Sequence, residues 1–202
     1  MKNIITISRQ YGSGGRYIGE NLAKAISADF YDKEILNIAA EESGIAKELF
    51  EQHDEKPNTS LLFSMVSGVR SGDISAMQID LPLNHKIFLA QFEAIKTIAQ
   101  KDGKHVFVGR CADYVLRNNP NTLRVFIYAD LDTKVERIVE HFDMDEKQAR
   151  NALVKKDRER NSYYNYFTGM EWGDKANYDL CINTSKISYD KAVELIKLAL
   201  ED

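Results

Sequence analysis

Residues 10–17 read Gln10-Tyr11-Gly12-Ser13-Gly14-Gly15-Arg16-Tyr17. Three glycines in four positions let consecutive backbone N–H groups converge on one anion, because no Cβ blocks close approach and glycine accepts positive φ. At the start of a helix the same turn gains the helix's partial positive charge. Holding a polyphosphate is the chemistry such a turn can do. Gly12, Ser13, Gly14, Gly15, Arg16 and Tyr17 are therefore candidate donor-binding residues, with Arg16 placed to reach outer phosphates. The literal pattern G-x-x-x-x-G-K-[ST] is not met. Counted back from Gly15 its first position is Gln10, and Arg16 and Tyr17 stand for the lysine and the small hydroxyl residue. The structural alternative is a turn that only packs its helix onto a strand.

A second cation stands in Val106-Phe107-Val108-Gly109-Arg110-Cys111-Ala112-Asp113. The apolar run puts Arg110 at the carboxyl end of a strand, the edge where open α/β sheets bind ligands. A guanidinium fork there can hold a phosphate through two hydrogen bonds. Asp113 could accept from a nucleobase or ribose, or orient Arg110; the alternative for the pair is a helix cap with an ion pair. Cys111 reads as a small packed residue. Asp32, in Tyr31-Asp32-Lys33-Glu34, ends a strand-like run. It is a candidate acceptor contact or ligand of a metal-bound water, or the N-cap of the next helix.

Between Lys147 and Arg160 there are six basic and two acidic residues, a local +4 in a chain of net charge −4. Such a run suits a lid that closes over polyphosphate and neutralises charge in the transition state. Arg158 and Arg160, together with Arg16, are the candidate catalytic residues. The interleaved Asp157 and Glu159 fit the alternative, a solvated helix face with i,i+3 and i,i+4 pairs. Tyr163, Tyr164 and Tyr166, in the stretch ending at Phe167, could stack on a base, pack the lid or form a partner surface.

Several chemistries are absent. The four histidines have no metal spacing, Ser13 lacks a G-x-S-x-G elbow, and the glycine turn misses the third glycine of G-x-G-x-x-G. Six acidic residues against one lysine from Glu41 to Glu55 read as a solvated face and not a metal site. With 202 residues, 44% hydrophobic and 29% charged, the chain has the composition of one globular α/β domain. No apolar run approaches the ~20 residues of a membrane span. The two cysteines are too few for a disulfide framework, which fits a reducing cytoplasm. The net negative charge argues against bulk nucleic-acid binding.

These residues need a scaffold, and the hydrophobic pattern supplies one. Strands are expected at Asn3–Ser8, Ala28–Asp32, His105–Gly109, Leu123–Ala129 and Tyr178–Asn183. The first is followed by the glycine turn and a helix to Ile26. Helical segments follow over 33–53, a short helix near Leu61–Val66 with a turn at Ser71-Gly72-Asp73, and a long helix over 84–101. Further helices carry Val135, Ile138, Val139 and Phe142, and close the chain over 190–200. Strands spaced by helices mean right-handed crossovers and a parallel sheet covered on both faces.

Taken in order, ISRQYGSGGRYIG, FYDKEI, VFVGRCADYVL, KKDRERNSYYNYFTGMEWGD and YDLCINTS make the chain resemble the cytidylate-kinase-like family of P-loop nucleoside-monophosphate kinases, essentially end to end. The resemblance implies an α/β three-layer P-loop NTPase fold. A five-stranded parallel sheet would carry helices on both faces, within a single domain over residues 1–202. An inserted acceptor-binding helical region would lie at about 33–84, and a basic lid at about 145–172. The implied activity is transfer of the terminal phosphoryl group of ATP, with Mg²⁺, to a small phosphorylated acceptor, CMP being the one the family name suggests. By position, Gly12, Ser13, Gly14, Gly15 and Arg16 would cradle donor phosphates. Asp32, Arg110 and Asp113 would surround the acceptor nucleotide, and Arg158 and Arg160 would be lid arginines. No residue is assigned to metal. Arg16 and Tyr17, where those kinases carry lysine and a small residue, keep a second reading open: a nucleotide-binding regulatory module without turnover. A kinase of another small metabolite is a third. Nucleotides are the expected partners, with neither nucleic acid nor membrane, and homo-oligomerisation stays open.

Overall fold

Ile4–Arg9 (β1) is buried along its first five residues, as a strand covered on both faces must be. In the computed structural model, which describes residues 2–55 and 81–201, it is the centre of a five-stranded sheet. Its companions are β2 (Asp29–Tyr31), β3 (His105–Val108), β4 (Thr122–Tyr128) and β5 (Leu180–Asn183). The order is β2-β3-β1-β4-β5, and every pairing is parallel. Ile4 lies beside both His105 and Thr122, which sets the register of the three central strands. The chain leaves β1 toward β2 on one side and leaves β4 toward β5 on the other. That divergence opens a crevice above the carboxyl end of β1.

Side-chain alternation along the strands divides the core into two layers. Ile5, Ile7, Val106, Val108, Val125 and Ile127 face helices α1 (Gly15–Ile26) and α8 (Tyr189–Glu201), meeting Ile18, Leu22, Val193 and Ile196. Ile4 and Phe107 point the other way. They meet Ile35 of α2 (Glu34–Ser43), Ile95 and Ile98 of α4 (Leu83–Ala99), and Ala112 of the short α5 (Ala112–Val115). Full burial of each such Ile, Leu or Phe contributes roughly 1.5–3 kcal/mol. The remaining helices are α3 (Lys47–His53), α6 (Leu131–Phe142) and α7 (Glu146–Thr168), with a 3₁₀ turn at Lys175–Asn177.

The expected parallel sheet with helices on both faces is present, with element ends shifted by a residue or two. The stretch 33–53 divides at Gly44, which adopts φ 69°. The basic stretch 147–160 belongs to one continuous 23-residue helix, α7. Asp145 and Gln148 form a reciprocal capping box at its start, and Gly169 ends it in the left-handed conformation. Ala149 and Leu153 pack on Val135 and Ile138 of α6, while Tyr163 and Tyr164 sink into an aromatic cluster with Phe88. Those two tyrosines are buried, so packing fits them and a partner surface does not; Tyr166 alone of the three is exposed. The short helix near 61–66 and the turn at 71–73 lie outside the described residues. Among the described residues no helix is long and apolar enough to cross a membrane.

Candidate functional site

The glycine turn between β1 and α1 is packed from behind at each glycine. A Cβ on Gly12, at φ 75°, would stand 3.2 Å from Lys134 Cβ and 3.3 Å from Leu153 Cδ2. One on Gly14, at φ 80°, would fall on the Tyr189 ring, and one on Gly15 would meet Arg9 and Ile127. Ser13 is buried and its Oγ donates to Gln10 O at 2.8 Å. Thr184 Oγ1 donates to Ser13 O at 2.8 Å, and Arg137 Nη1 lies 3.5 Å from the carbonyls of Gly12 and Ser13. A peptide's C=O and N–H point in opposite directions, so tying Ser13 O turns the Gly14 amide to the other side. Gly14 is the N-cap of α1 and supplies no side-chain cap. The opening amides of a helix have no intrahelical acceptor, which leaves them for an anion.

Helix α7 braces the turn. Asp157 accepts from Tyr11 N at 2.7 Å and from Lys134 Nζ at 3.2 Å, and Lys134 also donates to Gln10 Oε1 at 3.0 Å. Tyr17, half exposed, leans on Tyr189 with ring centres 5.4 Å apart. Arg137 sits over the other aromatic partner, 4.8 Å from the Tyr189 centroid.

Four arginines and three carboxylates gather at the carboxyl ends of β1, β2 and β3. Arg110, at φ 50°, is buried. Its Nε and Nη2 grip Asp54 in a fork at 3.0 and 2.7 Å, and its Nη1 pairs with Asp32 and donates to Val108 O at 3.0 Å. Burial alone would make Arg110 easier to deprotonate, but Asp54, Glu55 and Asp32 outweigh it and hold the charge in place. Asp32 also pairs with Arg16 Nε at 3.1 Å; Arg16 is 58% exposed and reaches Glu20 as well, at 3.2 Å. Glu55 takes Arg9 Nη1 at 2.6 Å, Arg160 Nε at 3.1 Å and the Arg110 amide at 3.2 Å. Burial would raise its carboxyl pKa, yet Arg9, Arg160 and Arg110 hold it well below the usual carboxylate range. Arg160 is lowered by burial and by Arg9, against the pull of Glu55 and Asp157.

A polar cleft opens onto this cluster, lined by Ser8, Arg9, Glu55, Gly109, Cys111, Arg160, Tyr163, Tyr164 and Trp172. Beneath it Asp113 is buried and accepts from Ser8 Oγ at 3.1 Å and Tyr164 OH at 2.7 Å. Its carboxyl is raised by burial, which those two hydrogen bonds only partly offset.

The structure thus brings Arg16, Asp32, Arg110 and Arg160 together at one edge and turns the Asp113 carboxylate toward hydroxyls under the cleft. Arg158 is exposed on α7. The acidic run to Glu55 is not all solvated face, since Asp54 and Glu55 fold back onto arginines that compensate their desolvation. Sequence reading missed Arg9, Asp54, Glu55, Lys134, Arg137 and Asp157. A cation closing a buried strand was the one available signal for Arg9; the others act through contacts distant in sequence. For Mg²⁺ the donor set does not fit direct ligation. Asp32 is committed to two arginines, Asp113 to two hydroxyls, and Tyr17 to a ring. Among the described residues no group of three or more His, Cys, Asp or Glu side chains could hold a metal ion.

The family model described as "Cytidylate kinase-like family" matches residues 4–186. The cytidylate kinase of Pyrococcus horikoshii is 22% identical over 201 residues, 99% of this chain and 89% of that protein. A crystal structure of an uncharacterized protein from Eubacterium ventriosum superposes with a TM-score of 0.72 at 29% identity, covering 100% of this chain and 99% of that one. Shikimate kinase from Bacteroides thetaiotaomicron superposes with a TM-score of 0.55 at 13% identity, over 98% of each chain, a likeness of fold.

Proposed function

The chain belongs to the cytidylate kinase-like family of P-loop kinases, and from that premise we propose that it transfers the terminal phosphoryl group of ATP to a small phosphorylated acceptor, a nucleoside monophosphate such as CMP. One observation carries the reading: an uncapped, braced glycine turn opens α1 at the same sheet edge as Arg9, Arg16, Arg110 and Arg160. Amides of Gly12, Gly14, Gly15 and Arg16 hold the donor phosphates, with the Arg16 side chain beside them, while the Ser13 amide donates to Gln10 O. ATP supplies the group transferred. Arg110, whose side chain is held by Asp54 and Asp32, meets the acceptor through its amide, and Arg160 and the exposed Arg158, within the region 145–172, neutralise developing charge. Asp113 is a positioning residue that fixes Tyr164 and Ser8 under the cleft. Phosphoryl transfer of this kind needs alignment and charge neutralisation and no covalent nucleophile. Mg²⁺ entering with ATP would be held by phosphate oxygens and water. Region 33–84 is the acceptor side. Both cysteines are free thiols, in keeping with a cytoplasmic setting.

A nucleotide-binding module without turnover is the second reading, favoured by Tyr17 in place of a small hydroxyl and by the internal pairing of Arg16 and Arg110. Coupled ATP consumption across nucleoside monophosphates separates the two. The enzyme reading expects acceptor-dependent consumption that falls about 10²-fold in Arg16→Ala. ATP binding with no acceptor-dependent consumption for any monophosphate supports the module.

A further inference from the structure

Glu55 is bound in the way a ligand anion would be. Its two oxygens meet three donors from three elements: Arg9 at the end of β1, Arg160 on α7 and the Arg110 amide after β3. Oε1 must serve two of them, Arg9 Nη1 and the Arg110 amide, while Oε2 serves Arg160 alone. Three terminal oxygens of a phosphate monoester can give each donor its own acceptor and bring a second negative charge. The side chains of Arg9 and Arg160 are only 11% and 15% exposed. Without an anion between them they would be two neighbouring buried cations, an arrangement that is costly unless compensated. Gly109, at φ 79°, completes the seat: a Cβ there would fall on both Arg9 Nη1 and Glu55 Oε1. Glu55, Arg9 and Arg160 all line the polar cleft.

We propose that Glu55 is a built-in occupant of the acceptor's anion seat, formed by Arg9, Arg160 and the Arg110 amide, and that a phosphate monoester displaces it. Glu55 is then a specificity-determining residue. An acceptor bearing only a carboxylate gains nothing over the internal one, whereas a dianionic phosphate does. This rests on the phosphotransferase reading of the same site and adds the residue that enforces a phosphate on the acceptor.

The test is calorimetric titration of the full chain with inorganic phosphate, for the native protein, Glu55→Gln, Glu55→Asp and the double variant Glu55→Gln/Arg9→Gln. A tethered competitor has an effective concentration in the millimolar range. Its removal in Glu55→Gln is expected to tighten phosphate about tenfold, or ~1.4 kcal/mol. Glu55→Asp keeps the charge but shortens the reach, so it should tighten phosphate less, in the same direction, and it carries the test if Glu55→Gln does not fold. Loss of Arg9 should cancel the gain. Phosphate affinity unchanged in both single variants, or a gain that survives loss of Arg9, overturns the proposal. ATP consumption with monophosphates, measured on the same preparations, keeps the two ideas apart. Turnover with unchanged phosphate affinity overturns the seat alone. Tighter phosphate without turnover on any monophosphate overturns the kinase reading and leaves the seat standing.

Discussion

At the scale of single residues, the two arginines two positions apart on α7 should behave differently. Arg158 is exposed, whereas Arg160 donates to Glu55 and to Arg9 O. Arg158→Ala is expected to lower kcat more than donor binding, as a group that acts in the transition state does. Its effect on stability should stay within about 0.5 kcal/mol. Unchanged kcat with weakened ATP binding would count against that role. Arg160→Ala removes one of three donors to a part-buried carboxylate and should cost about 1.5–3 kcal/mol in equilibrium unfolding. Glu55 also predicts a pH dependence. Its carboxyl is depressed in the folded protein, so the stability it lends is present above the ordinary glutamate value of about 4.3 and is lost as pH falls through the folded value. Denaturant titrations of the native protein and Glu55→Gln should show a constant gap above about pH 5 that closes in acid. A gap that widens in acid would place Glu55 in a different environment.

At the scale of elements, the glycine turn is tested by two alanines of similar φ. Gly14 has φ 80° and the Tyr189 ring behind it, whereas Gly44 has φ 69° and nothing within 4 Å. Gly44→Ala should cost about 1 kcal/mol of backbone strain and leave ATP binding alone. Gly14→Ala should cost more and abolish the ATP-dependent rise in melting temperature. Equal effects of the two on ATP binding would remove the turn from the donor site. In α7 the capping box predicts a loss of about 1 kcal/mol for Asp145→Ala. Most elements were legible in the sequence because their apolar spacing matches what they bury: Ile18 and Leu22 on α1, Ile95 and Ile98 on α4, the continuous run of β1. Helix α7 was legible only as the alternative to a lid, a solvated helix face, since its surface is charged over several turns and its buried positions are few.

At the scale of the whole molecule, the strand order β2-β3-β1-β4-β5 decides what meets what, and periodicity alone does not contain it. That order brings Arg9, Asp32 and Arg110 to one edge from three strand ends, with α7 crossing above. The glycine turn, Arg110 and Asp32 could be picked out because each sits at the end of a strand. Asp54 and Glu55 could not, because an acidic helix end looks the same whether it faces water or an arginine. Donor binding rests on amides of the glycine turn gripping the phosphates of ATP. An amide-resolved ¹H–¹⁵N NMR titration of the native chain with ATP tests it most directly. The amides of Gly12, Gly14, Gly15 and Arg16 are expected to move downfield together to saturation as they take up charged oxygen acceptors. ATP saturating the protein with those four signals unmoved would contradict it.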